Sequence, residues 1–240
     1  IQELPDGIFS KSKADESLLA AIVAQKYADH LPLYRVSEIF SRDGIQVTRQ
    51  LLSQWLIRLG TVLMPLYSLM LAKIKTSGVA YIDETPVKLQ VKGKGKLQQG
   101  YMWVLAGGDG ADPPYRIYQF FENRNHQNAF DLMEGFEGIF HSDKYGAYQT
   151  LAKKDGVIWQ SCWVHIRRMF EQAQSGDLEF RKVILRKIKY LFLFERVAWT
   201  RSEEKRLEIR REKEEPLIDS IIAMVEAKVK QDKTLPKSKL

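Results

Sequence analysis

The sequence predicts a mixed α/β protein in which one five-stranded sheet is flanked by helices. Residues 1–75 carry apolar side chains at helical spacing, residues 76–174 change to short apolar runs separated by Gly and Pro, and residues 175–240 return to helical spacing with many charges. We therefore divide the chain into an N-terminal helical region, an α/β core and a C-terminal helical segment. The length of 240 residues is enough for one large domain or two small ones.

The composition is that of an ordinary folded protein, with 45% hydrophobic and 28% charged residues and only 15 Gly and 8 Pro. It excludes disordered, collagenous and fibrous classes. Cys162 is the single cysteine, which excludes a disulfide framework and a multi-cysteine zinc ribbon, and we interpret it as a buried thiol in a reducing compartment. Neither a long apolar run nor a signal-peptide pattern is present, so we expect a cytoplasmic protein with no membrane partner.

The positive charge is concentrated near the C-terminal end. The whole chain carries a net charge of +7, with +2 in residues 1–75, −2 in residues 76–180 and +7 in residues 181–240. A basic arm beside a slightly acidic middle favours a polyanionic partner such as nucleic acid. A solvated charged helix explains the same pattern equally well.

Residues 1–75 predict helices. The apolar residues of the first helix share one face, a second helix begins near Pro32, and a third begins after the N-cap residue Thr48 and is interrupted by Gly60. Short helices joined by a Gly-containing turn indicate a helix-turn-helix, which either reads DNA or is a plain helical bundle. The apolar face of the first helix comprises Leu18, Leu19, Ile22, Val23 and Tyr27.

The core predicts strands and helices in a definite order. Three strands come first, joined by Gly-containing loops, and we expect them to pair antiparallel. Two further strands then alternate with helices, which is the plan of a ribonuclease-H-like domain. The predicted strands cover residues 79–83, 101–106, 115–121, 138–143 and 157–161, and the predicted helices cover 125–136, 144–153 and 163–173. We assign Trp103, Trp159 and Trp163 to core packing.

From about residue 177 onward the chain predicts charged helices. Residues 201–215 alternate acids with bases, which is typical of a solvated helix. Apolar residues recur at helical spacing at Leu185, Ile188, Leu191 and Phe192, and again at Ile218, Ile221, Ile222 and Val225.

Two aspartates are candidate metal ligands. Asp83 ends the first predicted strand and Asp143 ends the fourth, and these strands are neighbours in the predicted sheet, so the two carboxylates should converge at one edge. Carboxylate oxygens suit Mg²⁺ or Mn²⁺, and a pair of such ions activates a water or 3′-hydroxyl for attack on a phosphodiester. Glu84 should point to the opposite face of the strand, so we interpret it as a local structural acid.

Motifs along most of the chain, from about residue 4 to the last, resemble those of the insertion sequence 66 family of bacterial DDE transposases. The matching stretches are KYADHLPLYR at 26–35, YIDETPV at 81–87, GYMWV at 100–104, Arg124, DKYGAY at 143–148, CWVHIRRMF at 162–170 and LPKS at 235–238. The resemblance implies a ribonuclease-H-like core that cuts and joins double-stranded DNA with Mg²⁺ or Mn²⁺ in a two-metal site. It matches Asp83 and Asp143 to the first two acids of the catalytic triad.

The sequence also departs from the family pattern. The third acid of the family is a Glu in an Asn-rich helix, and the sequence stops at Leu240 before such a motif. The cysteine-rich zinc segment expected upstream is absent too, so the resemblance implies an internal or truncated fragment that is itself inactive. Lys144 replaces the Gly that usually follows the second acid. Four other acids have no matching context and are interpreted as helix-surface charges: Glu195, Glu203, Glu204 and Glu226.

Several basic residues near these motifs are candidate DNA contacts. His165, on the helix after the fifth predicted strand, either contacts the scissile phosphate or is an ordinary structural histidine. Arg167 and Arg168 on the same helix either grip phosphate oxygens or are solvated. Three lysines in a Gly-containing loop are suited to the DNA backbone: Lys92, Lys94 and Lys96.

Two functions of different classes follow from these observations. The first is a DNA transposase that works as a homo-oligomer on transposon ends and target DNA, in which Asp83, Asp143 and a later Glu hold the metal. The second is a non-catalytic DNA-binding or assembly remnant of a mobile element, which two acids and a basic arm fit equally well. A junction resolvase or nuclease of the same fold would share the metal site but would not explain the motifs outside the core.

Overall fold

A computed structural model describes residues 7–9, 12, 14–91, 95–108, 114–173 and 177–232. The chain divides into two compact units, residues 1–73 and residues 74–240. The candidate site residues identified above all belong to the second unit.

The first unit is helical. Helices α1 (Glu16–Val23), α2 (Leu33–Arg42) and α3 (Arg49–Val62) surround a core, and α4 (Met64–Lys75) follows; residues Ala24–Ala28 extend α1 with a π-helical turn. The side chain of Thr48 caps α3 by accepting the N–H of Leu51 at 3.2 Å, as predicted. The core contains Leu19, Ile22, Val36, Phe40, Leu52, Trp55 and Leu59.

The predicted break at Gly60 is wrong, because α3 continues through it to Val62. A glycine inside a helix is less favourable than alanine by only about 1 kcal/mol. The burial of Trp55 and Leu59 on the same helix outweighs this cost. Within the described residues, no single helix is long and apolar enough to cross a membrane, although α3 and α4 meet the length and composition criteria as a bent pair.

The second unit contains the predicted five-stranded mixed sheet. Its strands β1 (Val79–Gln90), β2 (Leu97–Gly107), β3 (Tyr115–Phe121), β4 (Gly138–Ser142) and β5 (Val157–Ser161) lie in the order β3-β2-β1-β4-β5. β1 pairs antiparallel with β2, and β2 with β3, whereas β1 with β4 and β4 with β5 pair parallel. This arrangement is consistent with the ribonuclease-H-like plan.

β1 does not end at Asp83 as predicted. The strand continues to Gln90 because its antiparallel pairing with β2 extends from Ala80 opposite Gly107 to Gln90 opposite Leu97. The parallel pairing with β4 covers only Val79 to Tyr81. Asp83 therefore lies inside β1, just beyond the point where β4 leaves it.

One face of the sheet is buried and the other is open. Alternate residues Ala80 and Ile82 of β1, with Trp103, Leu105, Ile117 and Phe140 from the neighbouring strands, are all buried. The ring of Tyr148 completes this layer, with its centroid 6.2 Å from those of Trp103 and Phe140. On the open face Tyr81 is 53% exposed and its ring stacks on His141 of β4.

The core helices are shorter than predicted. They are α5 (His126–Leu132), α6 (Gly146–Leu151) and α7 (Trp163–Gln172). α5 ends four residues early, and the turn that follows it contains Gly135 at φ +73°. Gly138 then begins β4 at φ +126°, where an added Cβ would lie 2.2 Å from the carbonyl oxygen of Gly78. Only glycine fits this close approach of β4 to the start of β1.

Helices α8 (Leu178–Ala198), α9 (Glu203–Ile209) and α10 (Glu215–Asp232) form the rest of the second unit, with a π-helical segment at Arg210–Glu214. Their apolar stripes pack together: Ile184, Ile188, Leu191 and Ile221 are buried, with Trp163, Ile166 and Phe170 of α7 against them. Glu195 is not the simple surface charge that we predicted, because Arg210 forms a partly buried ion pair with it.

Candidate active site

The sheet register brings the two predicted acids together. Tyr81 lies opposite His141 in the parallel β1–β4 pair, and two further residues along each chain lead to Asp83 and Asp143. Asp83 lies within β1, whereas Asp143 follows the last residue of β4. The carboxylates therefore belong to adjacent positions where the two strands separate.

Asp83 presents a half-exposed carboxylate. Its side chain is 51% exposed, and its Oδ2 lies 3.9 Å from Nε2 of His165 on α7. Its Oδ1 accepts the backbone N–H of Glu84 at 2.9 Å. One hydrogen bond to one oxygen leaves most of the lone pairs of this carboxylate available for a ligand.

Asp143 is held more firmly. Its side chain is 26% exposed, and its Oδ2 lies 3.6 Å from Nη2 of Arg124. Its Oδ1 accepts the backbone N–H of Tyr145 at 2.9 Å. Lys144 has an ordinary negative φ in this turn, because His30 is the one non-glycine residue in the described ranges with a positive φ. The turn therefore does not require the Gly that Lys144 replaces.

Glu84 faces the opposite side of β1 from Asp83, as predicted, and it is a structural acid whose partners are distant in the chain rather than local. Its side chain is 1% exposed. One oxygen accepts Nε–H of Arg124 at 2.6 Å, and the other accepts the hydroxyl of Tyr148 at 2.5 Å. Burial, together with the charge of Glu84, raises the pKa of Tyr148 strongly, so this hydroxyl stays protonated and donates.

Arg124 is fixed from several directions. Nη2 as well as Nε contacts Glu84. The guanidinium carbon lies 4.0 Å from the ring centroid of Tyr145, and the hydroxyl of Tyr145 donates back to the carbonyl oxygen of Arg124 at 2.5 Å. Although burial acts to lower the pKa of Arg124, Glu84 and Asp143 outweigh it, and the pKa is raised. Arg124 is therefore a permanent cation beside the acids.

A pocket of about 320 Å³ opens beside Asp143. Its lining also includes Arg124, Lys144, Cys162, His165 and Arg168. The Nδ1 atom of His165 is buried and has no hydrogen-bond partner among the described residues. A pocket lined by one acid, several cations and a histidine suits a phosphate-bearing ligand.

The other basic candidates lie elsewhere. Arg167 donates from Nε to Glu171 at 2.8 Å in an exposed pair and does not line the pocket. Lys96 is exposed next to the start of β2. Lys92 and Lys94 lie outside the described residues.

The donor chemistry of Asp83 and Asp143 fits Mg²⁺ or Mn²⁺, although the described residues contain no group of three or more His, Cys, Asp or Glu placed to hold a metal ion. Mg²⁺ is usually bound through one or two carboxylates and keeps its remaining positions for water and substrate phosphates. Asp83 and Asp143 are both partly exposed, and Asp143 also lines the open pocket, so the pair meets that requirement.

The sequence predicts that Asp83 and Asp143 lie at neighbouring positions, but it does not predict the buried group beside Asp143. Arg124 and Tyr148 appear in the sequence analysis only as parts of motifs, and Glu84 was interpreted as a local structural acid. The available signal was strand alternation: Glu84 shares the buried face with Ile82, and a buried carboxylate requires a cation or donors. The identity of those partners depends on contacts 40 and 64 residues away in the chain.

Comparison with known proteins gives one family and several relatives. Residues 11–240 match the model of the transposase IS66 family. The chain is 31% identical to the uncharacterized protein y4qI of Sinorhizobium fredii over 92% of its own length and 43% of the relative's. It is 35% identical to the uncharacterized protein y4jD of the same organism over 65% of its length and 33% of the relative's. The chain thus spans less than half the length of the curated relatives it matches.

Proposed function

The chain belongs to the IS66 family of transposases, and from this premise we propose that its second unit carries the metal-dependent centre that cuts and joins DNA strands. The observation that carries this proposal is the β1–β4 register, which leads to Asp83 and Asp143 at adjacent positions with lone pairs available. In this proposal the substrate is double-stranded DNA at the transposon ends and the target, and the working form is a homo-oligomer.

Asp83 and Asp143 would hold Mg²⁺ or Mn²⁺, with the two-ion arrangement that phosphodiester chemistry favours. When bound, such ions activate the attacking oxygen and neutralise the leaving oxygen of an in-line displacement. Water would first attack the phosphodiester at the transposon end, breaking its P–O3′ bond and leaving a 3′-hydroxyl and a 5′-phosphate. That hydroxyl would then attack a phosphodiester of the target strand, forming a new P–O3′ bond and releasing the 3′-hydroxyl of the cut target strand. No covalent bond between protein and DNA is needed.

The pocket cations orient the DNA. His165 and Arg168 lie within the same pocket as Asp143, and we assign them to oxygens of the phosphate next to the scissile bond. Arg167 and Lys96 do not line this pocket, and their proposed role, with that of Lys92 and Lys94, is contact with the more distant DNA backbone.

The proposal also includes a third carboxylate that these residues do not supply. Glu195 is committed to Arg210, and none of Glu203, Glu204 and Glu226 lies in a matching sequence context. We expect the 240-residue chain alone to bind metal and DNA without cutting it.

The test is a Mn²⁺ titration of the chain alongside Asp83→Asn and Asp143→Asn, with nicking of labelled DNA followed in a full-length protein. We expect each variant to abolish tight Mn²⁺ binding and to reduce strand cleavage by at least about 1,000-fold, since each removes a ligand of the catalytic ion. Glu171→Gln, on the exposed face of α7, is the matched control. Cleavage that survives either Asp variant would overturn the proposal.

A second candidate is a DNA-binding or assembly protein without catalysis. The observation that favours it is the position of Arg124, whose Nη2 lies 3.6 Å from Oδ2 of Asp143. The charge of Arg124 already balances part of the acidic charge there without a metal ion. This candidate predicts DNA binding that is unaffected by Mn²⁺ and by Asp83→Asn in the full-length protein.

A further inference from the structure

Three carboxylates, Asp83, Glu84 and Asp143, are close to one another in the second unit, and they are not equivalent. Asp83 and Asp143 are 51% and 26% exposed, whereas Glu84 is 1% exposed. Both oxygens of Glu84 are already engaged by donors, one by Arg124 and the other by Tyr148. Glu84 therefore adjoins two candidate metal ligands, but its own oxygens already accept hydrogen bonds from protein side chains.

The contacts of Glu84 fix the position of the Arg124 guanidinium. The contact with Glu84 uses Nε and Nη2 together, and the face of the guanidinium lies on the ring of Tyr145. A guanidinium carries five N–H donors in a rigid plane. Nε and Nη2 contact Glu84, and Nη2 also lies near Asp143. Nη1 has no partner among the residues that the structure describes, so its donors are available to the pocket that Arg124 lines.

We propose that Arg124 binds a phosphate oxygen of the DNA strand beside Asp143, and that Glu84 and Tyr148 are positioning residues that hold Arg124 there and are not metal ligands. This inference rests on the proposed function, because it takes DNA as the occupant of the pocket. Tyr148 anchors Glu84 from a buried position between the rings of Trp103 and Phe140, so the chain of contacts runs from the hydrophobic core to the guanidinium.

Removal of the negative charge of Glu84 should change DNA affinity in the direction opposite to the usual one. Removal of an acidic charge near a DNA-binding site ordinarily tightens DNA binding, since it reduces repulsion of the phosphates. If Glu84 acts by holding Arg124, Glu84→Gln should instead weaken DNA binding, because a neutral amide no longer holds the guanidinium by a charge-assisted pair.

The first experiment measures binding of a short labelled DNA duplex to the chain in Mn²⁺ at several salt concentrations. We expect Arg124→Met to weaken binding about 10-fold and to reduce the slope of log K against log salt by about 0.9, the value for one lost phosphate contact. Glu84→Gln should weaken binding to a similar extent, and Glu84→Gln added to Arg124→Met should have no further effect. Arg124→Lys keeps the positive charge but loses the planar set of guanidinium donors, so this variant should bind DNA more weakly than wild type.

The exposed pair Lys182 and Glu179 on α8 is the matched control, because it also joins a cation to a glutamate, in contact at 2.7 Å, and lies outside the pocket. Glu179→Gln should leave DNA binding unchanged or tighten it slightly. Tighter or unchanged binding by Glu84→Gln, additive effects of Glu84→Gln and Arg124→Met, or full binding by Arg124→Lys would each overturn the inference.

Two further measurements keep the inference testable. If Glu84→Gln fails to fold, Tyr148→Phe replaces it, since it keeps the buried ring and removes only the hydroxyl that holds Glu84. We expect DNA binding to weaken by at least about 3-fold, and wild-type DNA affinity would contradict the proposal.

The second measurement is Mn²⁺ affinity. The charge-neutral pair of changes Glu84→Gln with Arg124→Met should leave Mn²⁺ affinity within about 3-fold of wild type, whereas loss of Mn²⁺ binding would make Glu84 a ligand. Failure of the metal-site proposal would appear separately, as cleavage that survives Asp83→Asn.

Discussion

Asp83 and Glu84 are chain neighbours with opposite surroundings, because successive side chains of a strand point to opposite faces of the sheet. Asp83 is half-exposed near His165, whereas Glu84 is enclosed with Arg124 and Tyr148. The alternation itself was predictable from the sequence. The partners of Glu84 were not, since one comes from the segment after β3 and the other from α6, and local pattern contains no information about such distant contacts.

Glu214 provides a prediction at the same scale. Burial, with the charge of Glu195 as a second cause, raises the pKa of Glu214 from 4.5 to about 7. A carboxyl group whose pKa is raised on folding contributes its stability fully below about pH 4.5, and this contribution is lost as the pH rises through about 7. Glu214→Gln should therefore raise the melting temperature more at pH 8 than at pH 5.

The measurement is thermal unfolding of wild type and variant across pH 4 to 9, with Glu226→Gln, an exposed change on α10, as the control. Glu195 acts in the opposite direction, because its hydrogen bond to Arg210 lowers its pKa and its contribution is lost as the pH falls. Parallel pH profiles for wild type and Glu214→Gln would show that Glu214 does not titrate in this range.

At the scale of elements, strand and helix types were predicted well and their ends less well. β1 runs seven residues beyond its predicted end at Asp83 because the β2 hairpin continues to hold it. α3 passes through Gly60, where a break was predicted. In both cases tertiary contacts outweigh a local signal: pairing with β2 in the first and burial of Trp55 and Leu59 in the second.

Two glycines test this distinction between local and tertiary demands. Gly60 lies inside α3 with open space around its Cα, so Gly60→Ala should stabilise the protein by about 1 kcal/mol. Gly138 has φ +126° and would place a Cβ against the carbonyl oxygen of Gly78, so Gly138→Ala should destabilise it by about 3 kcal/mol or more. Urea unfolding of the two variants gives both values, and equal effects would contradict the assigned backbone constraints.

At the scale of the whole molecule, the positive charge is concentrated in a different part of the sequence from the two candidate acids. The sequence gives residues 181–240 a net charge of +7 and residues 76–180 a net charge of −2. The order of strands in the sheet was also predictable, because three antiparallel strands followed by strands alternating with helices have few arrangements that obey the connection rules. The partly buried Glu195–Arg210 pair was not predictable, since sign alternation along a helix is equally typical of a solvated surface.

The division into units gives a prediction of its own. Asp83, Glu84, Arg124, Asp143 and His165 all lie in residues 74–240. A chain limited to these residues should therefore bind Mn²⁺ with the affinity of the 240-residue protein and should lose that binding on Asp83→Asn. Isothermal titration measures both quantities, and a shorter chain that folds yet binds Mn²⁺ at least about 10-fold more weakly would mean that the site needs residues 1–73.

The single thiol of the chain has a practical consequence. Cys162 precedes the first residue of α7, is partly accessible and lines the pocket beside Asp143. Because the sequence contains no other cysteine, a maleimide dye or a nitroxide spin label attached to this protein would report from that one place. Binding at the pocket can therefore be followed in the native sequence, without any engineered substitution. The signal would be quenching of the dye fluorescence or broadening of the nitroxide spectrum.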